Sequence, residues 1–520
     1  MHGLGRNRNY KTHMFSLFSR NKHDRMMDSA ETYEEWYEAA LRHDEFTGME
    51  SWKHKSESDL YDNVAIETRL RTLRKYRKKG DDHALLFTLN EGVHGNMGGM
   101  GNAKLYSRAK SGTKQLISDY VDEIADALVH LSSVEEDVIS LEEKLDFFHR
   151  ASHCFGQSAL MLSGGAQLGN FHMGVVKTLI ETDLVPGVIS GSSMGAVFAA
   201  LLGVHTNEEL VQYFEPEHMM LTVRKEAGFI DRFFERRGSI DVEYIEEAIE
   251  RFIPDLTFQE AFLRTGRHIN ISVAPYERHQ TTRLLNAITS PNVLIRSAVM
   301  ASTAIPGVFP PVVLSAKNKD GEVQAYLPSR KWVDGSLSDD LPAKRLARIY
   351  GVNHYIVSLT NPLALPFASD PSVQSSLLAD TTKFAKSWIR ELASLGHSIS
   401  YKYLKSWPMV GAAASSFHSL VSQNYTGDIN IIADFSVIKP GNLLSHLTYD
   451  ELLSLIRNGE RATWPKVEEI RVCTRIARVL DGILERSEKR ELRLAKRAIA
   501  GRTGDSNPHS TDKVTVPLLR

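Results

Sequence analysis

Residues 187–203 read GVISGSSMGAVFAALLG: a β-branched apolar run, then Gly191-Ser192-Ser193-Met194-Gly195, then small and apolar residues again. At ordinary glycine and serine abundance, a chain of this length carries a chance G-x-S-x-G about one time in six, so the pattern alone decides little. Its surroundings decide more. A serine nucleophile of this kind needs a strand, a sharp turn and a helix, so that the hydroxyl stands exposed at the bend. Val188-Ile189-Ser190 predicts the strand ending, and Ala196 to Leu202 predict a helix small enough in its first turn to pack under the bend. Ser193, between Gly191 and Gly195, is the candidate nucleophile.

The same rhythm surrounds it. SALMLSGG, HINISVAPY, HYIVSLTN and DINIIAD are short β-rich segments separated by helical stretches, the alternation that builds an α/β fold on a mostly parallel sheet. Upstream, SAETYEEWYEAALRHDEFTG through SVEEDVISLEEKLDFFHRAS reads as helical, with Thr32 as an N-cap and Glu35 as its capping-box partner. After Asn361 a long helical stretch rich in aromatic and basic residues predicts core cover, with a membrane-facing helix as the alternative. The expected organisation is a disordered basic N-terminus (1–27), a helical domain (28–150), a catalytic domain (155–362), a helical extension packed on it (363–490) and a disordered tail (491–520).

Composition narrows the class. The 520 residues are 42% hydrophobic and 24% charged with a formal charge of -2, which is globular and gives no global field for nucleic acid. Cys154 and Cys473 supply neither a disulfide framework nor a thiolate metal site, so no metal or cofactor is expected and a reducing, cytoplasmic compartment is. No signal-peptide core and no apolar run of about 18 residues occurs, which predicts neither export nor membrane spanning. The cluster Arg69, Arg71, Arg74, Lys75, Arg77, Lys78, Lys79 reads as a solvated helix face, anionic headgroups being its alternative partner. NEGVHGNMGGMGNAKLY lacks the G-K-[ST] ending of a phosphate loop and reads as a plain loop.

A serine hydroxyl needs donors for the oxyanion and a base for its proton. In LMLSGGAQLGNFHMGVVKTLIE, a strand runs through Ser163-Gly164-Gly165-Ala166 into a helix, leaving unobstructed N–H groups where negative charge is favoured. A dinucleotide reading of Gly164, Ala166 and Gly169 is weakened by alanine at the middle glycine. For the base, three Asp-Gly pairs compete: Asp320-Gly321 lies in a polar hairpin, Asp481-Gly482 in an amphipathic helix, and Asp334-Gly335 follows the apolar Trp332-Val333. Asp334 is the candidate, against the alternative of a type I′ turn. His172, between Phe171 and Met173, reads as structural.

The glycine turn ending at Gly169, the elbow starting at Gly191, ASTAIPGVFPPV, and Asp334-Gly335-Ser336 ahead of DDLP, in that order, resemble the patatin-like phospholipases and lipases. TYEEWYEAALRHDEFTGMESWK, YDNVAIETRL, LLNAITSPNVLIRSAVMASTAIPGVF, YTGDINIIADF and GERATWPKVEEIR narrow the resemblance to triacylglycerol lipases of yeast and plants and their bacterial relatives, which carry a helical domain of unknown function first. The resemblance implies a three-layer α/β/α fold, Ser193 as nucleophile, Asp334 as its base, and oxyanion donors at Gly164, Gly165 and Ala166. It implies a lipid ester substrate, an acyl-enzyme, hydrolysis or transacylation, and peripheral contact with a membrane or lipid droplet. Ala166 and Leu168 depart from storage patatins, which have glycine and arginine there; the missing arginine raises the question of what steadies the turn. The competing readings are a phospholipase or lysophospholipase without triacylglycerol activity, a non-catalytic lipid-binding scaffold, and an α/β-hydrolase triad using His354, His397, His418 or His446.

Overall fold

Every β-rich segment picked out in the sequence is a strand: β1 (Gln157–Leu162), β2 (Val188–Gly191), β3 (His268–Pro275), β8 (Val352–Leu359) and β9 (Ile429–Ile432). Between β3 and β8 lie β4 (Arg283–Leu285), the hairpin strands β5 (Ser315–Lys317) and β6 (Val323–Ala325), and β7 (Trp332–Asp334). The computed structural model describes residues 22–93, 95–214, 246, 249–277, 281–306, 309–361, 427–434 and 447–503. The stretch expected to be helical after Asn361 lies mostly outside them, as do the basic N-terminus up to residue 21 and the end of the chain past 503.

The main sheet runs β4-β3-β2-β1-β8-β9, parallel from β3 to β9, with β4 and β7 antiparallel to β3. Buried strands of such a sheet read as continuous apolar runs, as Ala159-Leu160-Met161-Leu162 does. Their register places the chemistry. Along one edge of β3, β2 ends at Gly191 opposite Ile271, and β7 takes over with Asp334 opposite Val273. Two residues of strand are about 7 Å. The turn leaving β2 and the carboxylate ending β7 are therefore brought together by the backbone ladder itself.

Helices cover the sheet: α1 (Phe171–Glu181), α2 (Met194–Val204), α3 (Ile295–Thr303), α4 (Ala343–Tyr350) and α5 (Tyr449–Thr463). α1 and α5 cross glycine to glycine. A Cβ on Gly174 would stand 1.9 Å from the Ile456 carbonyl oxygen, and one on Gly459 would stand 2.1 Å from that of Phe171. Lys177 and Glu460 pair across the same crossing. This is the physical content of the GERATWP motif: its first residue lets α5 lie on the helix that carries the glycine turn.

The described residues divide into two compact units. One holds those within 22–67, 95–119 and 156–474, the other those within 68–93, 120–155 and 475–503, so each is assembled from separated pieces of sequence. In the first unit, Thr32 caps the helix Tyr33–Thr47 through the Glu35 amide, and Trp36 joins a small core with Met27 and Trp464. Asp44, fully buried, accepts from the amides of Lys110 and Ser111 and from the Ser111 hydroxyl at 2.6 Å. In the second, the basic cluster is partly tied down: Arg77 forks onto Glu123 at 2.7 and 2.8 Å, and Arg69 donates to the Thr88 and Gly92 carbonyls. The face is thus not wholly solvated. A helix runs Val467–Thr503, continuing past residue 491, where the tail was expected to begin. Its sequence there is strongly helix-forming, RELRLAKRAIA, which outweighs the local excess of charge.

Candidate active site

Ser193 leaves β2 in a left-handed conformation, φ 53° and ψ -126°, and is the N-cap of α2. Such a backbone is strained for any residue but glycine and persists only where its surroundings impose it. The flanking glycines permit those surroundings. A Cβ on Gly191 would stand 2.2 Å from the Gly195 carbonyl oxygen, and one on Gly195 would stand 2.2 Å from that of Leu162. G-x-S-x-G is therefore a packing requirement here as well as a pattern. Ser302 of α3 completes the clamp, its hydroxyl accepting from the Ser193 amide at 2.9 Å and donating to the Ser272 carbonyl at 2.8 Å.

The Ser193 hydroxyl lies beside the Asp334 carboxylate, near enough to act against the rise in its pKa. Asp334 is 4% exposed; it accepts from the Ser336 amide at 2.8 Å, while its own amide donates to the Ala304 carbonyl. Burial raises its pKa to about 6, the hydrogen bonds from Ser336 and the adjacent Ser193 hydroxyl holding it from rising further. A carboxylate poised there accepts a proton far better than one at its ordinary value near 4. Gly335 is needed because a Cβ would stand 2.6 Å from the Ser272 carbonyl oxygen, against the β3 backbone.

The glycine turn lies against the elbow. A Cβ on Gly164 would stand 3.2 Å from that of Ser193 and 2.8 Å from that of Ser336; one on Gly169 would strike the Met194 side chain at 2.3 Å. Gly165 and Ala166 open a short 3-10 helix leading into α1, and among the described residues neither amide donates a hydrogen bond. The Gly164 amide, expected beside them as an oxyanion donor, is differently engaged: it donates to the Asp340 carboxylate at 2.8 Å. That N–H thus already has a buried acceptor of its own. Ala166 takes φ 47°, the conformation that favours the glycine of storage patatins.

The other candidates fall elsewhere. Asp320-Gly321 forms the β5–β6 hairpin and Asp481 lies in the helix Val467–Thr503. His354 pairs in register with Ser158, four residues along β1 from Leu162, which faces Gly191; that is about 13 Å from the elbow. His397, His418 and His446 lie outside the described residues. His172 is fully buried, with Nδ1 2.7 Å from the Ser358 hydroxyl and Nε2 2.8 Å from the Ser163 carbonyl oxygen. Burial lowers its pKa to about 4, so it is neutral and supports the turn as a structural donor. Among the described residues no cluster of acids, histidines and cysteines is arranged to hold a metal ion, and no helix is long and apolar enough to cross a membrane. Ser302 and Asp340 were not anticipated, although both lie inside motifs that carried the resemblance, ASTAIPGVF and DDLP.

A patatin-like phospholipase profile matches residues 160–347, and one for a domain of unknown function, DUF3336, matches 16–153. The chain belongs to the patatin-like phospholipase family. Within it, the chain is 33% identical to the Schizosaccharomyces pombe triacylglycerol lipase ptl3 over 461 residues, covering 86% of this chain and 94% of that one. It is 33% identical to the Arabidopsis thaliana triacylglycerol lipase SDP1L over 503 residues, 93% of this chain and 61% of the plant protein. It is 36% identical to triacylglycerol lipase 4 of Saccharomyces cerevisiae over 468 residues, 85% of this chain and 50% of the yeast protein. The chain thus spans less than two thirds of two of these relatives.

Proposed function

We propose that this protein is a serine acyl hydrolase that cleaves carboxylic esters of acylglycerols or phospholipids. The observation that carries the reading is the Ser193 hydroxyl set beside a buried, raised-pKa aspartate at a strained strand-to-helix turn. Asp334 accepts the Ser193 proton as Oγ attacks the ester carbonyl carbon. The carbonyl oxygen becomes an oxyanion facing the Gly165 and Ala166 amides. Collapse breaks the bond to the leaving alcohol, which takes the proton from Asp334 and leaves an acyl-enzyme. Water then attacks with its proton passing to Asp334; fatty acid leaves and the proton returns to Ser193. An acceptor alcohol in place of water gives transacylation. Relatives that bear the name triacylglycerol lipase favour acylglycerols as substrate. Such esters lie in aggregates, so the reaction belongs at the surface of a membrane or lipid droplet.

The test is fatty acid release by the wild type, Ser193→Ala and Asp334→Asn from triacylglycerol, diacylglycerol, phospholipid and lysophospholipid. Release that is abolished by Ser193→Ala and falls by about 10²–10⁴-fold in Asp334→Asn supports the reading. Equal release by all three proteins would sink it, and cleavage of phospholipid alone would replace the lipase with a phospholipase.

A further inference from the structure

Building on the acyl-hydrolase reading above, we propose that Asp340 is a positioning residue of the oxyanion turn, fixing the Gly164 peptide so that the amides of Gly165 and Ala166 stay aimed at the reacting carbonyl. Asp340 is a carboxylate that the reaction itself does not use, 1% exposed, six residues beyond Asp334 at the end of the turn Ser336–Asp339. Its two oxygens divide their work. Oδ1 accepts from the Gly164 amide at 2.8 Å, and Oδ2 accepts from the Asn361 side chain at 2.9 Å, just beyond the end of β8. The Ser192 hydroxyl of the elbow lies alongside. One carboxylate thus ties together the ends of two segments, the glycine turn after β1 and the loop after β8.

The rest of the turn is held from the carbonyl side. His172 donates to the Ser163 carbonyl, the Thr360 hydroxyl donates to the Gly164 carbonyl at 3.1 Å, and the Thr360 amide donates to the Ser163 hydroxyl at 2.8 Å. A Cβ on Gly165 would stand 2.4 Å from the Thr360 hydroxyl oxygen, so the turn already rests against that residue. None of these groups fixes the direction of the Gly164 N–H. Asp340 does. Without it, a buried amide would lose its acceptor, at a cost that favours rotation of the peptide preceding the two donors. Leu168, which stands where storage patatins have arginine, is fully buried in the core. The steadying of this turn comes instead from Asp340, His172 and Thr360, beneath it.

The test measures kcat per active site, titrated with a fluorophosphonate probe, and KM, on a chromogenic ester for folded Asp340→Ala, Asp340→Asn and Asn361→Leu. Asp340→Ala is expected to lower kcat by about 10²-fold, the order of one lost oxyanion donor, with KM within about threefold. Asp340→Asn keeps an oxygen for the Gly164 amide and is expected within about tenfold of wild type; Asn361→Leu removes the Asn361 donor from the second oxygen and is expected to lose about three- to tenfold. A role confined to stability would lower the fraction of active protein and leave kcat per active site alone. Unchanged kcat in folded Asp340→Ala overturns the proposal, as does equal impairment of Asp340→Ala and Asp340→Asn. If Asp340→Ala does not fold, unchanged kcat in Asn361→Leu overturns it. A wild type that the probe does not label would instead sink the acyl-hydrolase reading.

Discussion

The raised pKa of Asp334 has a direct kinetic consequence. Its ordinary value is 3.8, and burial lifts it to about 6. At pH 8 nearly every Asp334 is ionised and able to accept the Ser193 proton. At pH 5, one unit below its pKa, only about one in eleven is. Reaction of Ser193 with a fluorophosphonate should therefore be about tenfold slower at pH 5 than at pH 8, activity being present above the limb and lost as pH falls through it. An aspartate at its ordinary value would still be more than about nine-tenths ionised at pH 5, and the rate would barely change. Asp340 is lifted by burial to about 7 and further raised by the charge on Asp334. The assay is stopped-time labelling from pH 4.5 to 9, with the fold checked by circular dichroism at each end. Asp334→Asn should label about 10²–10⁴-fold more slowly at pH 8 and show no such limb. A wild-type profile that is flat from pH 5 to 8, or that falls only near pH 4, would refute the argument from burial.

Other perturbations follow from close contacts. Gly459→Ala forces a Cβ to 2.1 Å from the Phe171 carbonyl oxygen and should destabilise the protein by about 1–3 kcal/mol, read as a lower melting temperature; an unchanged one would mean that α1 and α5 do not cross as described. Ser302→Ala leaves the Ser193 amide buried without its acceptor, costing about 1–3 kcal/mol, and should slow labelling of Ser193 as well as lower the melting temperature. Ala166→Gly relieves a left-handed alanine worth about 1–2 kcal/mol, offset by about 0.5–1 kcal/mol of chain entropy. Its stability should stay within about 1 kcal/mol of wild type and its labelling rate within about twofold, because the amide is unchanged. A large loss would assign the alanine methyl a role of its own.

The central strands were legible because each is a β-rich run long enough to register, and α/β alternation then dictates a mostly parallel sheet. The elbow was legible because one of its glycine contacts is local, a Cβ on Gly191 meeting the Gly195 carbonyl, although Gly195 itself is fixed by the Leu162 carbonyl of β1. Asp334 was found by order and by its Trp-Val approach, but its three-residue strand is too short to show a period. What places it is pairing with β3, about 60 residues earlier in the chain. The engagement of the Gly164 amide by Asp340 spans 176 residues and leaves no local trace, which is why three oxyanion donors were expected where two amides stand free of partners among the described residues. The division of the N-terminal helices between two units is likewise a matter of long-range packing.

The most direct measurement traps the intermediate. The protein is mixed with a chromogenic fatty acid ester, quenched in acid within the first turnover and digested, and the acylated peptide is located by mass. The account predicts one acyl group, on the peptide bearing Ser193, formed as fast as the alcohol is released and absent from Ser193→Ala. Turnover with the acyl group on another residue, or undiminished turnover in Ser193→Ala, would contradict it.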